Sequence, residues 1–292
     1  MIPRLTPARV PRYDRATGLE LAARQGVDGL HAGRHRSRRV GSSLDFADHR
    51  AYQQGDDPGD IDWRAYVRTD RLLVRRWHDD RQLPVALLLD TSASMAYGTP
   101  AKGEHARLAA AILGLLALDQ GDALRLLCSA ARDPRPARSV DPQHLCLQLS
   151  QGMDEGDQAA AALLERATAH LEQRHLLVLL GDLLEDPAPV IEAAGRAGAR
   201  GHEVAVLQVL DPTELALPTD WGPSLLTDPE GRVEPVTGDA ADLAAAYAEA
   251  LTAHQTHLVT GLRAVGAEHR LLPTDGEAAT QVAAWLAGRS FR

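Results

Sequence analysis

Residues 83–95 read LPVALLLDTSASM, and this stretch is the most informative about the fold class of the chain. The apolar run over residues 83–89 predicts a short strand at the centre of a parallel sheet, buried on both faces. Residues 102–119 carry helix-forming side chains with an apolar stripe, which predicts a helix packed back on that sheet. Asp90, Ser92 and Ser94 therefore stand at the carboxyl end of a strand, where open α/β sheets bind their ligands.

The oxygen atoms of this triplet favour a hard divalent cation. One carboxylate and two hydroxyls suit Mg²⁺, which binds about six oxygens at roughly 2.1 Å, and Mn²⁺ or Ca²⁺ accept similar ligands. A second acid is expected at Asp182, because another apolar run over residues 175–180 ends there. If the two strands are neighbours, Asp182 lies beside Asp90. Such a cation stays under-neutralised, so a carboxylate from a partner could complete its coordination.

Alternating strand and helix patterns predict a doubly wound, mostly parallel α/β sheet of the Rossmann type. Its strands are expected over residues 83–89, 122–129, 175–181, 202–210 and 267–272. Upstream, a helix over residues 12–25 leads into a turn that contains Gly26, Gly29 and Gly33, and residues 40–82 indicate short strands and turns. The sequence thus predicts two parts: residues 1–82, a helix plus a small β-rich module, and residues 83–292, the α/β domain.

The strand-end triplet resembles the metal-ion-dependent adhesion site of von Willebrand factor A domains. Further segments resemble the family called domain of unknown function 58, and together they cover about residues 15–288. The residues that carry this second resemblance are Leu44, Asp45, Phe46, Arg50, Tyr52, the run GDDPGDIDW over residues 55–63, Leu210, Asp211, Pro212, Glu214, Leu215 and the helix that contains Tyr247. The fold implied by the resemblance is a von Willebrand A-like α/β domain.

The sequence departs from the von Willebrand A pattern in one loop. Those domains usually have a threonine there, in a Gly-Gly-Thr-like setting, whereas this chain reads MDEGDQ over residues 153–158. Asp157 aligns with the threonine. An aspartate at this position either ligates the cation and adds negative charge, or accompanies a site that binds no metal.

The resemblance also implies a function. Members of the family are associated with MoxR-type AAA+ ATPases, so the expected role is a non-catalytic adaptor or co-chaperone that links such an ATPase to an unidentified client protein. The expected metal ligands are Asp90, Ser92, Ser94, Asp182 and Asp157, and the expected cation is Mg²⁺.

Charge and hydropathy favour a cytoplasmic protein outside the membrane. No apolar segment reaches the roughly 20 residues of a membrane span, and the N-terminal residues lack the apolar core of a signal peptide. Residues 1–81 carry 16 basic and 12 acidic side chains, whereas the rest carries 15 and 28. The basic run of Arg34, Arg36, Arg38 and Arg39 could attract nucleic acid, but no aromatic-rich recognition module accompanies it, so a solvated loop is the preferred interpretation.

Enzymatic alternatives have less support in the sequence. An aspartyl-phosphate type of Mg²⁺-dependent phosphatase would place its nucleophile at a strand end such as Asp90. Such enzymes generally carry a second acid two residues later, where this chain has Ser92, and a lysine in a later loop. Lys102 is the only lysine of the chain. No nucleophile elbow and no Walker-type phosphate loop are present, so an enzyme is not predicted.

Overall fold

The computed structural model describes two separate units of the chain. The larger unit comprises residues 1–33 and 83–292, and the smaller unit comprises residues 34–82. The residues that the structure describes are 12–34, 46–53, 61–77, 83–129, 136–151, 159–227, 229, 231 and 234–289. Among the described helices, none is both long and apolar enough to cross a membrane.

From residue 85 onward, strands and helices alternate as the sequence patterns predict. In chain order they are α1 (Arg12–Arg34), β1 (Phe46–Ala51), α2 (Trp63–Thr69), β2 (Leu73–Trp77), β3 (Val85–Leu89), α3 (Lys102–Asp119), β4 (Leu124–Cys128), β5 (Ala137–Ser139), α4 (Pro142–Gln151), α5 (Ala160–His170), β6 (Leu176–Gly181), α6 (Pro187–Ala199), β7 (Glu203–Leu210), α7 (Pro212–Leu215), β8 (Pro223–Leu226), β9 (Val236–Asp239), α8 (Ala240–Ala264), β10 (Glu268–Pro273) and α9 (Ala278–Gly288).

The larger unit is built on a six-stranded sheet in the order β10-β7-β6-β3-β4-β5. Strands β10, β7, β6, β3 and β4 run parallel, and only the short edge strand β5 is antiparallel. The strand order reverses direction next to β3, which lies at the centre between β6 and β4. The predicted doubly wound α/β fold is therefore confirmed, and the strand that precedes Asp90 is central in it.

Two hydrophobic layers cover the two faces of this sheet. Successive side chains of a strand point to opposite faces, so Leu87 and Leu89 pack with α1, α3, α4 and α9, whereas Ala86 and Leu88 pack with α5, α6 and α8. Both layers are rich in leucine and alanine. Burial on both faces explains why the central strands β3 and β6 are continuous apolar runs without polar alternation.

Helix α1 belongs to the larger unit, so the first boundary differs from the prediction that grouped residues 1–82. Ala23 and Val27 of α1 are buried in the core of the α/β unit. The helix also continues to Arg34 through the glycines that were expected to form a turn. A Cβ atom at Gly26 would lie 3.1 Å from Ala279 Cβ and 3.1 Å from Ile112 Cδ1, so this glycine allows α1 to pack closely on its neighbours.

The smaller unit contains the antiparallel pair β1–β2 and the helix α2. A β-rich module was expected here, and α2 departs from that expectation. The helix begins where the Asp62 side chain accepts a hydrogen bond of 3.0 Å from the Ala65 backbone N–H, an N-cap that the aspartate-rich segment supplies. Within the basic run, Arg36, Arg38 and Arg39 lie outside the described residues, and nucleic-acid binding stays a prediction without a test.

Candidate functional site

The carboxyl edge of the sheet is lined by polar residues, because each of its five parallel strands is followed directly by one. These residues are Asp90 after β3, Ser129 after β4, Asp182 after β6, Asp211 after β7 and Thr274 after β10. All five are buried. Since β3 and β6 are adjacent parallel strands, their ends meet, and Asp182 lies on the strand end next to Asp90 as the sequence predicts.

The turn after β3 holds its three oxygen-bearing side chains in a defined arrangement. The Ser92 backbone N–H donates a hydrogen bond of 2.9 Å to Asp90 Oδ1. Ser92 Oγ and Ser94 Oγ lie 3.0 Å apart, within hydrogen-bond distance of each other. The Asp90 backbone N–H donates to the Leu180 carbonyl oxygen at 2.9 Å. This last bond extends the pairing of β3 with β6 by one residue and fixes the start of the turn.

Gly181 gives the Asp90 side chain its place beside the end of β6. A Cβ atom at position 181 would lie 2.8 Å from Asp90 Cβ and 3.0 Å from Asp90 Oδ2. Real side chains essentially never approach so closely, so any residue larger than glycine would push Asp90 away. Gly181 therefore determines how near the Asp90 carboxylate comes to the segment that carries Asp182.

Asp90 carries a buried carboxylate that its surroundings do not fully compensate. Burial, followed by repulsion from Asp182, raises its pKa to about 6, and the hydrogen bonds from Ser92 offset only part of this increase. Burial disfavours the charged form of an acid, and a like charge nearby adds to the effect. A cation bound next to Asp90 would favour the charged carboxylate and so lower the pKa of Asp90.

Lys102, the first residue of α3, is the main feature of the site that the sequence did not reveal. Its side chain is fully buried, with Nζ 2.8 Å from Asp182 Oδ2 and 2.5 Å from Glu214 Oε1. Burial disfavours the ammonium, but the two carboxylates outweigh this influence and raise the pKa of Lys102. One ammonium thus joins the loops that follow β3, β6 and β7.

Glu214 is held in place by the single-turn helix α7. Its second oxygen, Oε2, accepts a hydrogen bond of 2.9 Å from the Asp211 backbone N–H. Asp211 Oδ1 in turn accepts from the Thr213 backbone N–H at 2.9 Å and from the Thr213 hydroxyl at 2.6 Å. The Tyr247 hydroxyl donates to the Glu214 carbonyl oxygen at 2.6 Å. Burial raises the pKa of Glu214 in spite of the ammonium beside it.

An open groove of about 370 Å³ borders this cluster, between the loops that follow β3 and β7. It is lined by Tyr97, Gly98, Thr99, Asp211 and Thr213. The hydroxyls of Tyr97 and Thr213 lie 2.9 Å apart and bridge the two loops. Lys102 Nζ lies 5.8 Å from the centroid of the Tyr97 ring, within the range of a cation–π contact.

The donor set fits a divalent cation at the turn after β3. Two oxygens bound to one Mg²⁺ at roughly 2.1 Å lie about 3.0 Å apart when they occupy neighbouring octahedral positions, and this is the spacing of the Ser92 and Ser94 hydroxyls. Among the described residues, no group of three His, Cys, Asp or Glu side chains could hold a metal, so such a site depends on the serines. The fit is less good for Asp182, because Lys102 already binds one of its oxygens.

Charge at this edge also favours a cation. Asp90, Asp182, Asp211 and Glu214 place four buried or half-buried carboxylates at this edge, and the Lys102 ammonium binds two of them, Asp182 and Glu214. Of the five predicted ligands, Asp90, Ser92 and Ser94 share one turn and Asp182 lies on the adjacent strand end. Asp157 lies outside the described residues. The role of all five as ligands stays a prediction.

Two further residues of the edge had only weak signals in the sequence. Ser129 Oγ accepts a hydrogen bond of 2.7 Å from the Thr91 backbone N–H and lies 2.7 Å from the Thr91 hydroxyl, so it holds the β3 turn from the β4 side. Its signal was a polar residue directly after an apolar strand. The signal for Lys102 was that it is the only lysine of the sequence, which otherwise uses arginine.

Comparison with known proteins gives a family and a set of structural neighbours. The family model described as "Protein of unknown function DUF58" matches residues 48–257. The uncharacterized proteins Rv1480 of Mycobacterium tuberculosis and Mb1516 of Mycobacterium bovis are each 32% identical over 283 residues, which cover 93% of this chain and 87% of each relative.

Similar solved structures include an aerotolerance-related membrane protein from Bacteroides fragilis, with 16% identity, a TM-score of 0.47 and coverage of 69% of this chain and 96% of that one. The SpRpn10 VWA domain matches with 12% identity, a TM-score of 0.41 and coverage of 69% and 93%.

Proposed function

Since the chain belongs to the DUF58 family of proteins of unknown function, we propose that it is a non-catalytic interaction module that binds a partner through the carboxyl edge of its sheet. The observation that carries this proposal is the turn after β3. There, a buried and incompletely compensated carboxylate lies beside two hydroxyls at the spacing of neighbouring metal ligands. A binding site of this kind needs no nucleophile or general acid.

The residues that would hold the cation are Asp90, Ser92 and Ser94, and Mg²⁺ is the best match to one carboxylate and two hydroxyls. When bound, the cation would supply a positive centre for a carboxylate of the partner. The chain's own residues prepare this centre. The Ser92 backbone N–H orients Asp90, Gly181 admits its side chain, and Lys102 binds Asp182.

The partner is proposed to be a MoxR-type AAA+ ATPase, with this chain as its adaptor or co-chaperone in the cytoplasm. The support is the resemblance in sequence together with a site that has the chemistry of a docking point.

Recovery of the ATPase on the immobilised chain tests this function. We expect recovery in Mg²⁺ buffer to fall at least tenfold in EDTA and to fall equally for Asp90→Asn. Arg174→Gln, which removes an exposed charge at the opposite edge of the sheet, is the matched control and should recover the ATPase as the wild type does. Equal recovery with and without EDTA, together with no loss for a folded Asp90→Asn protein, would remove the metal from the mechanism.

One observation favours the second candidate, an aspartyl-phosphate type of phosphatase. Lys102, the one lysine available for a phosphate, lies at the same edge of the sheet as Asp90. It is, however, held by two carboxylates, and Ser92 stands where such enzymes have their second acid. Hydrolysis of p-nitrophenyl phosphate that requires Mg²⁺ and is lost in Asp90→Asn would favour the phosphatase over the interaction module.

A further inference from the structure

Lys102 occupies an unusual position for a positive charge next to a cation site. Its ammonium is fully buried and binds Asp182 and Glu214 at the same time. Asp182 also follows β6, whose end pairs with the end of β3, so its carboxylate lies on the strand end beside Asp90. Lys102 therefore neutralises the carboxylate beside the turn after β3. Glu214 provides a second negative charge next to the Lys102 ammonium.

We infer that Lys102 determines how strongly the site attracts a partner's carboxylate, because it neutralises Asp182 and so leaves a bound cation with unsatisfied positive charge. This inference rests on the proposed function and names the residue that tunes it. The physical argument is electrostatic. Each carboxylate that faces a divalent cation raises its affinity for the protein and lowers the cation's remaining attraction for an external acid.

The two consequences of removing Lys102 have opposite signs. An Asp182 carboxylate without its ammonium would face the cation with its full charge, so the protein would bind the cation more tightly. The same cation would then bind an external carboxylate more weakly. A lysine that only stabilised the fold would not separate these two quantities, because local disorder would weaken both.

The choice of lysine fits this role. Lys102 is the only lysine of the sequence, which otherwise uses arginine. Its ammonium is a compact point charge with three hydrogen-bond donors. It satisfies two carboxylates from different loops with separate donors. A guanidinium is larger than an ammonium, and its donors lie in a fixed plane. Lys102→Arg would therefore keep the charge but displace one or both acids.

Lys102→Met alone leaves two buried acids without a partner and risks unfolding the protein. The double variant Lys102→Met/Glu214→Gln reduces this problem, because only Asp182 then loses its partner. It removes one positive and one negative charge and conserves the side-chain volumes. Glu214→Gln alone is the reference variant. It keeps the ammonium on Asp182 and removes one negative charge from this edge, so it should bind the cation more weakly than the wild type.

The test uses Mn²⁺, which shares these ligands with Mg²⁺ and is paramagnetic. Calorimetry gives the Mn²⁺ affinity of each protein, and broadening of the ¹³C signal of labelled acetate by protein-bound Mn²⁺ reports a carboxylate at the cation. For the double variant we expect at least about tenfold tighter Mn²⁺ binding than for the wild type and several-fold less acetate broadening, because a unit charge a few ångströms from a cation acts strongly in a partly buried site.

The outcomes separate the inference from the function on which it rests. If the wild type does not bind Mn²⁺, the proposed function fails, and this inference fails with it. If the wild type binds Mn²⁺ and the folded double variant binds it no more tightly, or if Mn²⁺ affinity and acetate broadening change in the same direction, Lys102 does not tune the site and the inference alone is overturned.

Discussion

The two edges of the same sheet carry ionic clusters of opposite character. At the amino edge, Arg174 and Arg289 both bind Glu203 at 2.6 Å, and Arg289 also binds Glu268 at 3.0 Å. Trp285 Nε1 donates to the other oxygen of Glu268. Two arginines thus match two glutamates, and both oxygens of each glutamate are bonded. Such a cluster fastens the end of α9 to the strands and leaves no charge for a ligand.

At the carboxyl edge, by comparison, the negative charge of Asp90 has no ammonium bound to it in the part of the chain that the structure describes. One ammonium serves Asp182 and Glu214, while the pKa of Asp90 rises to about 6 through burial and repulsion. A stable fold does not require this arrangement, because a buried charge without compensation is destabilising. Local destabilisation of this kind is typical of functional sites. In this comparison, balanced charge accompanies a structural role, and the incompletely compensated Asp90 lies at the edge for which we propose binding.

The largest expected effect is that of Lys102→Met on stability. Removing one partner of a buried ion pair destabilises a protein by about 3–5 kcal/mol, because the remaining charges stay buried without compensation. Arg174→Met at the amino edge should lose less than about 1 kcal/mol, since that pair is exposed to solvent. Urea unfolding of both variants gives the free energies. Equal losses would mean that the two edges do not differ in kind.

Asp90→Asn should stabilise the metal-free protein. The pKa of Asp90 lies near 6, compared with 3.8 for an ordinary aspartate, and each unit corresponds to about 1.4 kcal/mol. The uncharged asparagine should therefore add up to about 3 kcal/mol at pH 7.5 while its side-chain oxygen still accepts from the Ser92 backbone N–H. Denaturant unfolding in EDTA measures this gain. A loss of stability would show that the native environment favours the charged carboxylate.

Gly181→Ala should disturb the site through the position of Asp90. The added methyl group would lie 2.8 Å from Asp90 Cβ, so overpacking should destabilise the protein by about 1–3 kcal/mol and lower its Mn²⁺ affinity. Gly18→Ala in α1 is the control, because a Cβ atom there contacts nothing within 4 Å. That variant should gain up to about 1 kcal/mol from helix propensity. If Gly181→Ala left the Mn²⁺ affinity unchanged, the position of Asp90 would not affect cation binding, which contradicts the assigned site.

The two edges should also respond to pH with opposite signs. Because the folded pKa of Asp90 is raised, its contribution to stability is fully present below pH 3.8 and is lost as the pH rises through about 6. Burial, together with His175 and Arg200, lowers the pKa of His202 at the amino edge below 6.5. The stability linked to His202 is therefore present above pH 6.5 and is lost as the pH falls.

Free energies of unfolding between pH 4 and 8 in EDTA check this difference. Asp90→Asn should remove the decline between pH 4 and about 6, and His202→Asn should reduce the loss below pH 6.5. Asparagine is chosen because its Oδ1 can accept the bond that His202 Nδ1 now accepts from the His175 backbone N–H. Identical pH profiles of wild type and both variants would contradict the assigned directions.

The sequence predicted those parts of the site that depend on local pattern and on parallel pairing. The run before Asp90 predicts a buried strand, and a second such run before Asp182 predicts a neighbour, so their meeting at one edge follows from the fold class. The Lys102 cluster could not be predicted in this way, since its partners are 80 and 112 residues away and belong to other loops. A lysine in the first turn of a helix opposes the helix dipole, which is a physical sign that nearby acids compensate it.

The place of α1 was misjudged for a similar reason. Its glycines indicate a turn when they are considered locally, but Gly26 serves close packing against Ile112 and Ala279 in elements far along the chain. The helix therefore depends on tertiary contacts that local propensity does not encode. The start of α2, by contrast, had a local signal in Asp62, which acts as its N-cap.

Calorimetric titration of the EDTA-treated protein with Mn²⁺ decides whether the surplus charge of the carboxyl edge is a binding site. We expect one equivalent of Mn²⁺ to bind the wild type and the amino-edge variant Arg289→Met, and binding to be lost in Asp90→Asn and in Ser92→Ala/Ser94→Ala. No heat of binding with the wild type, or equal binding by folded Asp90→Asn, would contradict the assignment of a cation to this turn.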